Sequence, residues 1–189
     1  MFASAAVTTI ALASITTVLF GVDVWTDFFA KGLPVQNRVL ADPDLRATPF
    51  YPTIFMNVRG LDSSYAVAMA AQAVFSAFAI AVAVWAFGTR RDADPDLLAA
   101  LFLACTICAS PYLLAYDVLP LTFAAIGLLA SGKLDATGRR LAQFAFWLPT
   151  LQLVCGAYHV PGPALVAPAF VAYLVVRFRA LPPRAALQA

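Results

Sequence analysis

Residues 97–130 read LLAALFLACTICASPYLLAYDVLPLTFAAIGLLA, with one charged side chain, Asp117, and one polar break, Ser110-Pro111. As a single helix at 1.5 Å per residue the run would measure about 51 Å, far beyond a hydrocarbon core of roughly 30 Å. Arg90 and Arg91 precede it, and Lys133, Arg139 and Arg140 follow it. If Lys and Arg mark the cytoplasmic side, both ends lie on that side and the run crosses an even number of times. The reading is a helical hairpin over about 97–130, tipped by Ser110-Pro111-Tyr112. Pro111 ends the first helix because it has no N–H for the helical hydrogen bond.

The same rule orders the rest of the chain. Further apolar segments fall at 5–22, 65–87, 141–158 and 164–176. Arg177, Arg179 and Arg184 place the C-terminus inside, and the basic-free connection 158–163 goes outside. The loop over about 23–64 then lies outside and the N-terminus inside. Eight of the twelve Lys and Arg residues fall on the inner side. The expectation is an all-α polytopic integral membrane protein with about six transmembrane helices, forming a single transmembrane domain over 1–189. No positive leader region or small-residue cleavage site marks 5–22 as a signal peptide, so it reads as a retained helix. Within the outer loop, Val24, Trp25, Phe28, Phe29 and Leu33 recur at helical spacing among Asp23, Asp27, Lys31 and Arg38. That pattern predicts an outer interfacial amphipathic helix anchored by Trp25.

Composition agrees. The chain is 62% hydrophobic and 12% charged, with ten Asp, no Glu and one His. Ordinary soluble domains are roughly 45–50% apolar and about 25% charged. A disordered chain and a nucleic-acid binder are excluded, and a soluble enzyme of this size would lack polar surface. Cys105, Cys108 and Cys155 sit in apolar runs and read as buried residues without a redox or zinc role. The element Ala-Asp-Pro-Asp-Leu occurs at 41–45 and again at 93–97. It reads as a helix start, with Asp as cap, Pro at the first position and the second Asp favouring the dipole, and not as a metal site. Asp62 or Ser63 is expected to cap the span beginning near Tyr65.

No soluble-enzyme motif is present: no G-x-S-x-G, P-loop, G-x-G-x-x-G or H-E-x-x-H. Instead, the expected topology places Tyr112, Tyr116, Asp117, Tyr158, His159 and Arg59 on one membrane face. Asp117 is a carboxylate about one turn into an apolar segment. Such residues usually face a cavity or a partner, although an Asp favouring a helix dipole at a wet interface would look the same. Arg59 offers a planar fork for phosphate or a simple interfacial anchor. His159 lies in the outer turn Tyr158-His159-Val160-Pro161-Gly162, where a solvated histidine is the plain alternative.

The stretch Ser110-Pro111-Tyr112-Leu113-Leu114-Ala115-Tyr116-Asp117 resembles the signature of glycosyltransferase family eighty-seven. Upstream, Val24-Trp25, Phe28-Phe29, Tyr51-Pro52-Thr53-Ile54-Phe55, Arg59-Gly60-Leu61, Tyr65 and Gln72 extend the likeness, which covers about 5–130. The resemblance implies a GT-C class membrane enzyme that moves a hexose, typically mannose, from a polyprenyl-phosphate donor to a glycolipid or glycan acceptor on the outer face. It implies a plasma (inner) membrane location with both termini cytoplasmic and no cofactor or metal. It also implies that the chain corresponds to the C-terminal half of a longer family architecture, consistent with a first helix lacking a basic inner flank. Asp117, Tyr116 and Tyr112 would line the lipid-phosphate pocket, with Arg59 and His159 as further substrate-binding candidates. No residue matches the family's base; Asp23 and Asp27 lie in a loop that matches a later family loop. The catalytic residue is therefore unknown. Two other readings remain beside the enzyme: a non-catalytic polytopic membrane subunit pairing with a second membrane protein, and a small transporter. The last is the poorest fit, because ionisable residues are nearly absent from mid-membrane.

Overall fold

The computed structural model describes residues 2–42, 51–90, 93–158 and 160–180. His159 and the Pro-Asp-Leu of the first Asp-Pro-Asp element lie outside the described residues. Every regular element among the described residues is helical. The chain forms two compact units, Met1–Leu45 and Arg46–Ala189.

In the first unit, α1 runs over Phe2–Phe20. Most of its described side chains are apolar and exposed, Val18 at 83% and Phe20 at 70%, with only small hydroxyl residues among them. A helix of that kind has no polar face to offer water, and its solvent is lipid or another apolar surface. The hydroxyls of Thr8, Thr9, Thr16 and Thr17 donate to carbonyls four residues back, hiding their polarity within the helix. Gly21, at φ +81°, ends α1. The chain then turns by 104° into Asp23–Val35. Here α2 (Asp23–Asp27) passes through a wider π turn at Phe28–Gly32 into α3 (Leu33–Ala41). Trp25 Nε1 donates to Thr17 Oγ1 at 2.8 Å, tying the bend together, and Lys31 pairs with Asp27 at 2.7 Å.

The second unit is a helical bundle. It comprises α4 (Ile54–Arg59), α5 (Tyr65–Thr89), α6 (Pro95–Ala109), α7 (Leu119–Ser131), α8 (Ala136–Ala157) and α9 (Val166–Ala180). Helix α6 packs on α5, α7 and α9, and α8 packs on α7 and α9. Buried positions are rich in small residues: Ala68, Ala79 and Ala86 on α5, Ala100 and Ala104 on α6, Ala142 and Ala145 on α8. Exposed positions carry Val74, Val84, Phe102, Phe123, Phe144 and Trp147. Small residues inside and bulky apolar residues outside suit a bundle whose solvent is hydrocarbon, since close backbone approach replaces the hydrophobic drive between helices.

Tyr65–Thr89 and Pro163–Ala180 are long and apolar enough to cross a membrane, and the bent pair in the first unit can count as a third span. Length and composition alone single out these two or three, short of six. Pro95–Ala109 and Ala115–Ser131 are shorter apolar helices. Helix α8 carries Arg139, Arg140, two Gln and an internal Pro149, which dilute its apolar character.

The helix starts follow capping chemistry. Asp94 accepts from Asp96 N at 2.9 Å and Leu97 N at 3.4 Å, with Pro95 at the first helical position. The cap of α5 is Ser64, accepting from Val67 N, and not Asp62 or Ser63. Asp62 is instead in the left-handed region at φ +57°, where the chain reverses, and Ser63 donates to Val58 O. Cys105 and Cys108 are buried.

Lys133 Nζ sits between Asp94 Oδ2 at 2.6 Å and Asp96 Oδ2 at 2.8 Å, so the second Asp-Pro-Asp element holds an ammonium. The Lys133 hydrogen bond holds the Asp94 carboxyl below its ordinary value of 3.8. The two carboxylates hold Lys133 above its ordinary 10.5. A depressed carboxylate stabilises the fold above its unfolded pKa and loses that contribution as pH falls through the folded value. A raised lysine stabilises below its unfolded pKa and loses it as pH rises through the folded value. The expected result for Lys133→Met is a small fall in unfolding temperature, constant through neutral pH. The difference from wild type should close below pH 3.8 and above pH 10.5. A difference independent of pH would show that the lysine acts through its packing alone.

Candidate functional site

One end of the bundle is organised around the break between α6 and α7. Pro111 stops α6, and the chain stays extended through Leu114 before a 3₁₀ turn at Ala115–Val118. The break is therefore wider than a three-residue tip. Ser110 Oγ donates to Tyr112 O at 2.9 Å, and Asp117 Oδ2 accepts from Leu114 N at 2.8 Å. The Asp117 carboxylate thus caps the turn that leads into α7, satisfying an N–H that Pro111 and the extended segment leave without a helical partner. Its other oxygen, Oδ1, makes no hydrogen bond among the described residues.

Tyr112 packs against a residue that sequence reasoning did not single out as a site residue, Tyr51. The Tyr51 and Tyr112 rings are 5.7 Å apart at 45°. Burial raises the Tyr51 phenol above its ordinary value of 10.0, as do its interactions with the Tyr112 hydroxyl and Tyr116. Tyr116 is 63% exposed, so the cluster opens outward at that side chain. The signal for Tyr51 was its place in Tyr51-Pro52-Thr53. What the sequence lacked was the long-range packing that sets it beside Tyr112.

That packing has an identifiable origin. Gln72, 2% exposed within α5, accepts from Phe55 N at 3.0 Å through Oε1. Its Nε2 donates to Cys108 O at 3.0 Å and to Ser76 Oγ at 3.1 Å. Ser76 in turn donates to Ala109 O at 2.6 Å. One amide and one hydroxyl thereby satisfy the start of α4 and the last carbonyls of α6. The segment bearing Tyr51 and the segment leading to Tyr112 are both pinned to α5. Asn57 adds a third tie: its Nδ2 donates to Tyr51 O and Thr53 O, and its Oδ1 accepts from Gly162 N at 2.8 Å. Gly162, just before the 3₁₀ turn that leads into α9, is thus held at the same end.

Arg59 closes α4 and is only 4% exposed. Its Nη1 donates to Ser63 O at 3.1 Å, bracing the reversal into α5. No hydrogen bond or ion pair joins Arg59 to Asp117 among the described residues. The structure therefore brings Tyr112 together with Tyr51, leaves Tyr116 and Asp117 on the turn that follows, and sets Arg59 within the α4–α5 reversal. Tyr158 is 77% exposed at the end of α8.

The family model of glycosyltransferase family 87 matches residues 1–116 of the chain. The chain belongs to glycosyltransferase family 87. Family membership and the apolar helices together make it a membrane glycosyltransferase. No curated protein and no solved structure matches it. The region shared with family 87 includes Tyr51, Arg59, Gln72, Tyr112 and Tyr116, and ends one residue before Asp117.

Proposed function

We propose that this family 87 chain transfers a hexose, with mannose as the first candidate, from a polyprenyl-phosphate donor to a glycolipid or glycan acceptor. The single observation that carries the site assignment is the packing of Tyr51 on Tyr112 at the broken end of α6, with Tyr116 exposed on the turn that follows. Phenols suit a sugar phosphate on a lipid: each has an apolar ring for the sugar or chain and a hydroxyl for a phosphate or sugar oxygen. Asp117 stands at the turn beside them, and Arg59 supplies positive charge at the same end of the bundle. His159, carried by the family resemblance alone, completes the proposed substrate-binding set. Transfer requires an acceptor hydroxyl to lose its proton as it attacks the anomeric carbon while the lipid phosphate departs. No residue of the chain is assigned as that base. The proposed setting is the plasma membrane, crossed about six times with both termini on the cytoplasmic, Lys/Arg-rich side; the charge distribution supports this.

The test is transfer of labelled sugar from polyprenyl-phosphate mannose in proteoliposomes carrying the full chain. Asp117→Asn is the informative variant, because the amide oxygen still accepts from Leu114 N while the charge is lost. It is expected to lower transfer by at least about tenfold at equal protein level. Unchanged transfer would remove Asp117 from the site.

A second reading, a non-catalytic membrane subunit, draws on one observation: Arg59 is buried and Asp117 caps its own turn, so both have structural work. A chain that transfers sugar without a partner eliminates it. Stoichiometric co-purification with another membrane protein, without transfer by the chain alone, supports it.

A further inference from the structure

Asn57 lies in α4, and its amide joins three segments of the chain. Nδ2 donates to Thr53 O at 3.0 Å and to Tyr51 O at 3.3 Å, which uses both of its hydrogens. Oδ1 accepts from Gly162 N at 2.8 Å, 105 positions along the chain. The bond to Thr53 O is local, four residues back. The other two reach out of the helix. One fixes the backbone of Tyr51, whose ring packs on Tyr112, and the other fixes the connection from α8 to α9.

The far partner is itself tightly defined. Gly162 has φ +152°, a backbone conformation open to glycine and costly for a residue with a Cβ. Its carbonyl accepts from Leu165 N at 2.9 Å, starting the 3₁₀ turn Pro163–Leu165 that packs against α4 and leads into α9. The amide of Asn57 is planar, so Oδ1 and Nδ2 move as one rigid group. A displacement of Gly162 therefore turns the amide and carries to Tyr51 O. Tyr51, Asn57 and Tyr112 lie within residues 1–116, the stretch matched by family 87, and Gly162 lies beyond it. One side chain thus links the tyrosine pair of the shared region to a part of the bundle outside that region.

We propose that Asn57 is a positioning residue: it couples the α8–α9 connection to Tyr51, so that this connection sets the spacing of the Tyr51–Tyr112 pair and, through it, the affinity for the sugar-phosphate donor. The affinity rests on the sugar-transfer reading; the coupling does not. Asn57 acts through Tyr51 and not on the substrate, since both hydrogens of its amide are engaged within the protein.

The test uses the full chain in detergent with its six tyrosines replaced by 3-fluorotyrosine, each fluorine signal assigned by a Tyr→Phe variant. Asn57→Asp keeps an acceptor for Gly162 N and loses both donors. It should move the Tyr51 and Tyr112 signals and leave that of Tyr173, bonded to the cap of α8, in place. Gly162→Ala is the decisive variant. Its Cβ would meet nothing within 4 Å, so it acts through the backbone alone. It should move the Tyr51 signal in the wild-type background but not in Asn57→Ser, which can keep only the local bond to Thr53 O. For the unlabelled chain in proteoliposomes, Asn57→Ser should raise KM for polyprenyl-phosphate mannose at least about fivefold with kcat within about twofold of wild type. A Tyr51 signal that stays in place in Asn57→Asp overturns the coupling, whatever the chain catalyses. So does one that Gly162→Ala moves equally in the Asn57→Ser background. Signals that move as expected beside an unchanged KM, or a loss in kcat alone, overturn the effect on donor affinity and keep the coupling. Absence of transfer by wild type refutes the sugar-transfer reading, and the affinity effect with it, while the fluorine signals still decide the coupling. If circular dichroism shows that Asn57→Asp unfolds, Asn57→Ser must move the Tyr51 signal or the coupling fails.

Discussion

Gln72→Leu is expected to lower unfolding stability by about 2–4 kcal/mol, because it strands two buried backbone groups that the glutamine serves. Leucine fills similar volume, so the cost is polar. Phe55 N–H loses its acceptor at the start of α4, and Cys108 C=O loses its donor at the end of α6. An unmet polar group in an apolar interior costs far more than the net gain of one hydrogen bond. Ser76→Ala should cost less, since Gln72 remains, and the double variant should cost less than the sum because the two residues share one network. The consequence reaches the tyrosine cluster. With both anchors loosened, Tyr51 and Tyr112 no longer share a fixed geometry. Thermal unfolding in detergent measures the first effect, and quantitative transfer activity below the melting temperature measures the second. A Gln72→Leu change within about 0.5 kcal/mol of wild type would show that the amide is not what joins α4 and α6 to α5.

Gly138→Ala is expected to cost about 1–3 kcal/mol, the range for forcing an extra methyl group into a packed site. A Cβ at Gly138 would overlap the hydroxyl oxygen and Cζ of Tyr173. The ring cannot simply swing its tip away. It is stacked at 5° on Phe170, which is fully buried, and its hydroxyl is bonded to Asp135. Asp135 also caps α8 through Gly138 N at 2.8 Å, and its carboxyl is held below the ordinary value first by that bond. Moving Tyr173 therefore disturbs the α8 cap together with the α8–α9 contact. A double-mutant cycle is decisive: in a Tyr173→Ala background the Gly138→Ala penalty should largely vanish. An undiminished penalty there would point to another neighbour and not to helix propensity, which favours alanine and predicts the opposite sign.

Much of the architecture follows from local features of the chain. An apolar content of 62% with no amphipathic pattern in its long segments demands helices in an apolar solvent. Pro111 must end a helix, and Asp94-Pro95-Asp96 must begin one, for reasons confined to a few residues. The tyrosines and Asp117 stood out for the same reason: polar groups in an apolar run are conspicuous. Where a neighbouring residue could do the same job, locality failed. Ser64 caps α5 although Asp62 and Ser63 are equally competent by residue type, because the left-handed turn at Asp62 and the bond from Ser63 Oγ to Val58 O hold those two in the reversal before the helix start.

What only the tertiary structure decided was which faces meet. Alanines lie on every side of these helices, so no hydrophobic stripe marks an interior, and the choice of Ala68, Ala79 and Ala86 as the buried face of α5 is a matter of fit to α6 and α9. The same holds for Gln72, whose three partners lie seventeen, four and thirty-six residues away. It also holds for Tyr51, placed beside Tyr112 across sixty-one positions of sequence. The sequence by itself determined that the chain is helical, apolar and broken at Pro111, because those properties arise from each residue's own backbone and solvation. The pairing of Tyr51 with Tyr112, and of Asn57 with Gly162, required the bundle, because a contact between distant residues depends on how several helices pack at once.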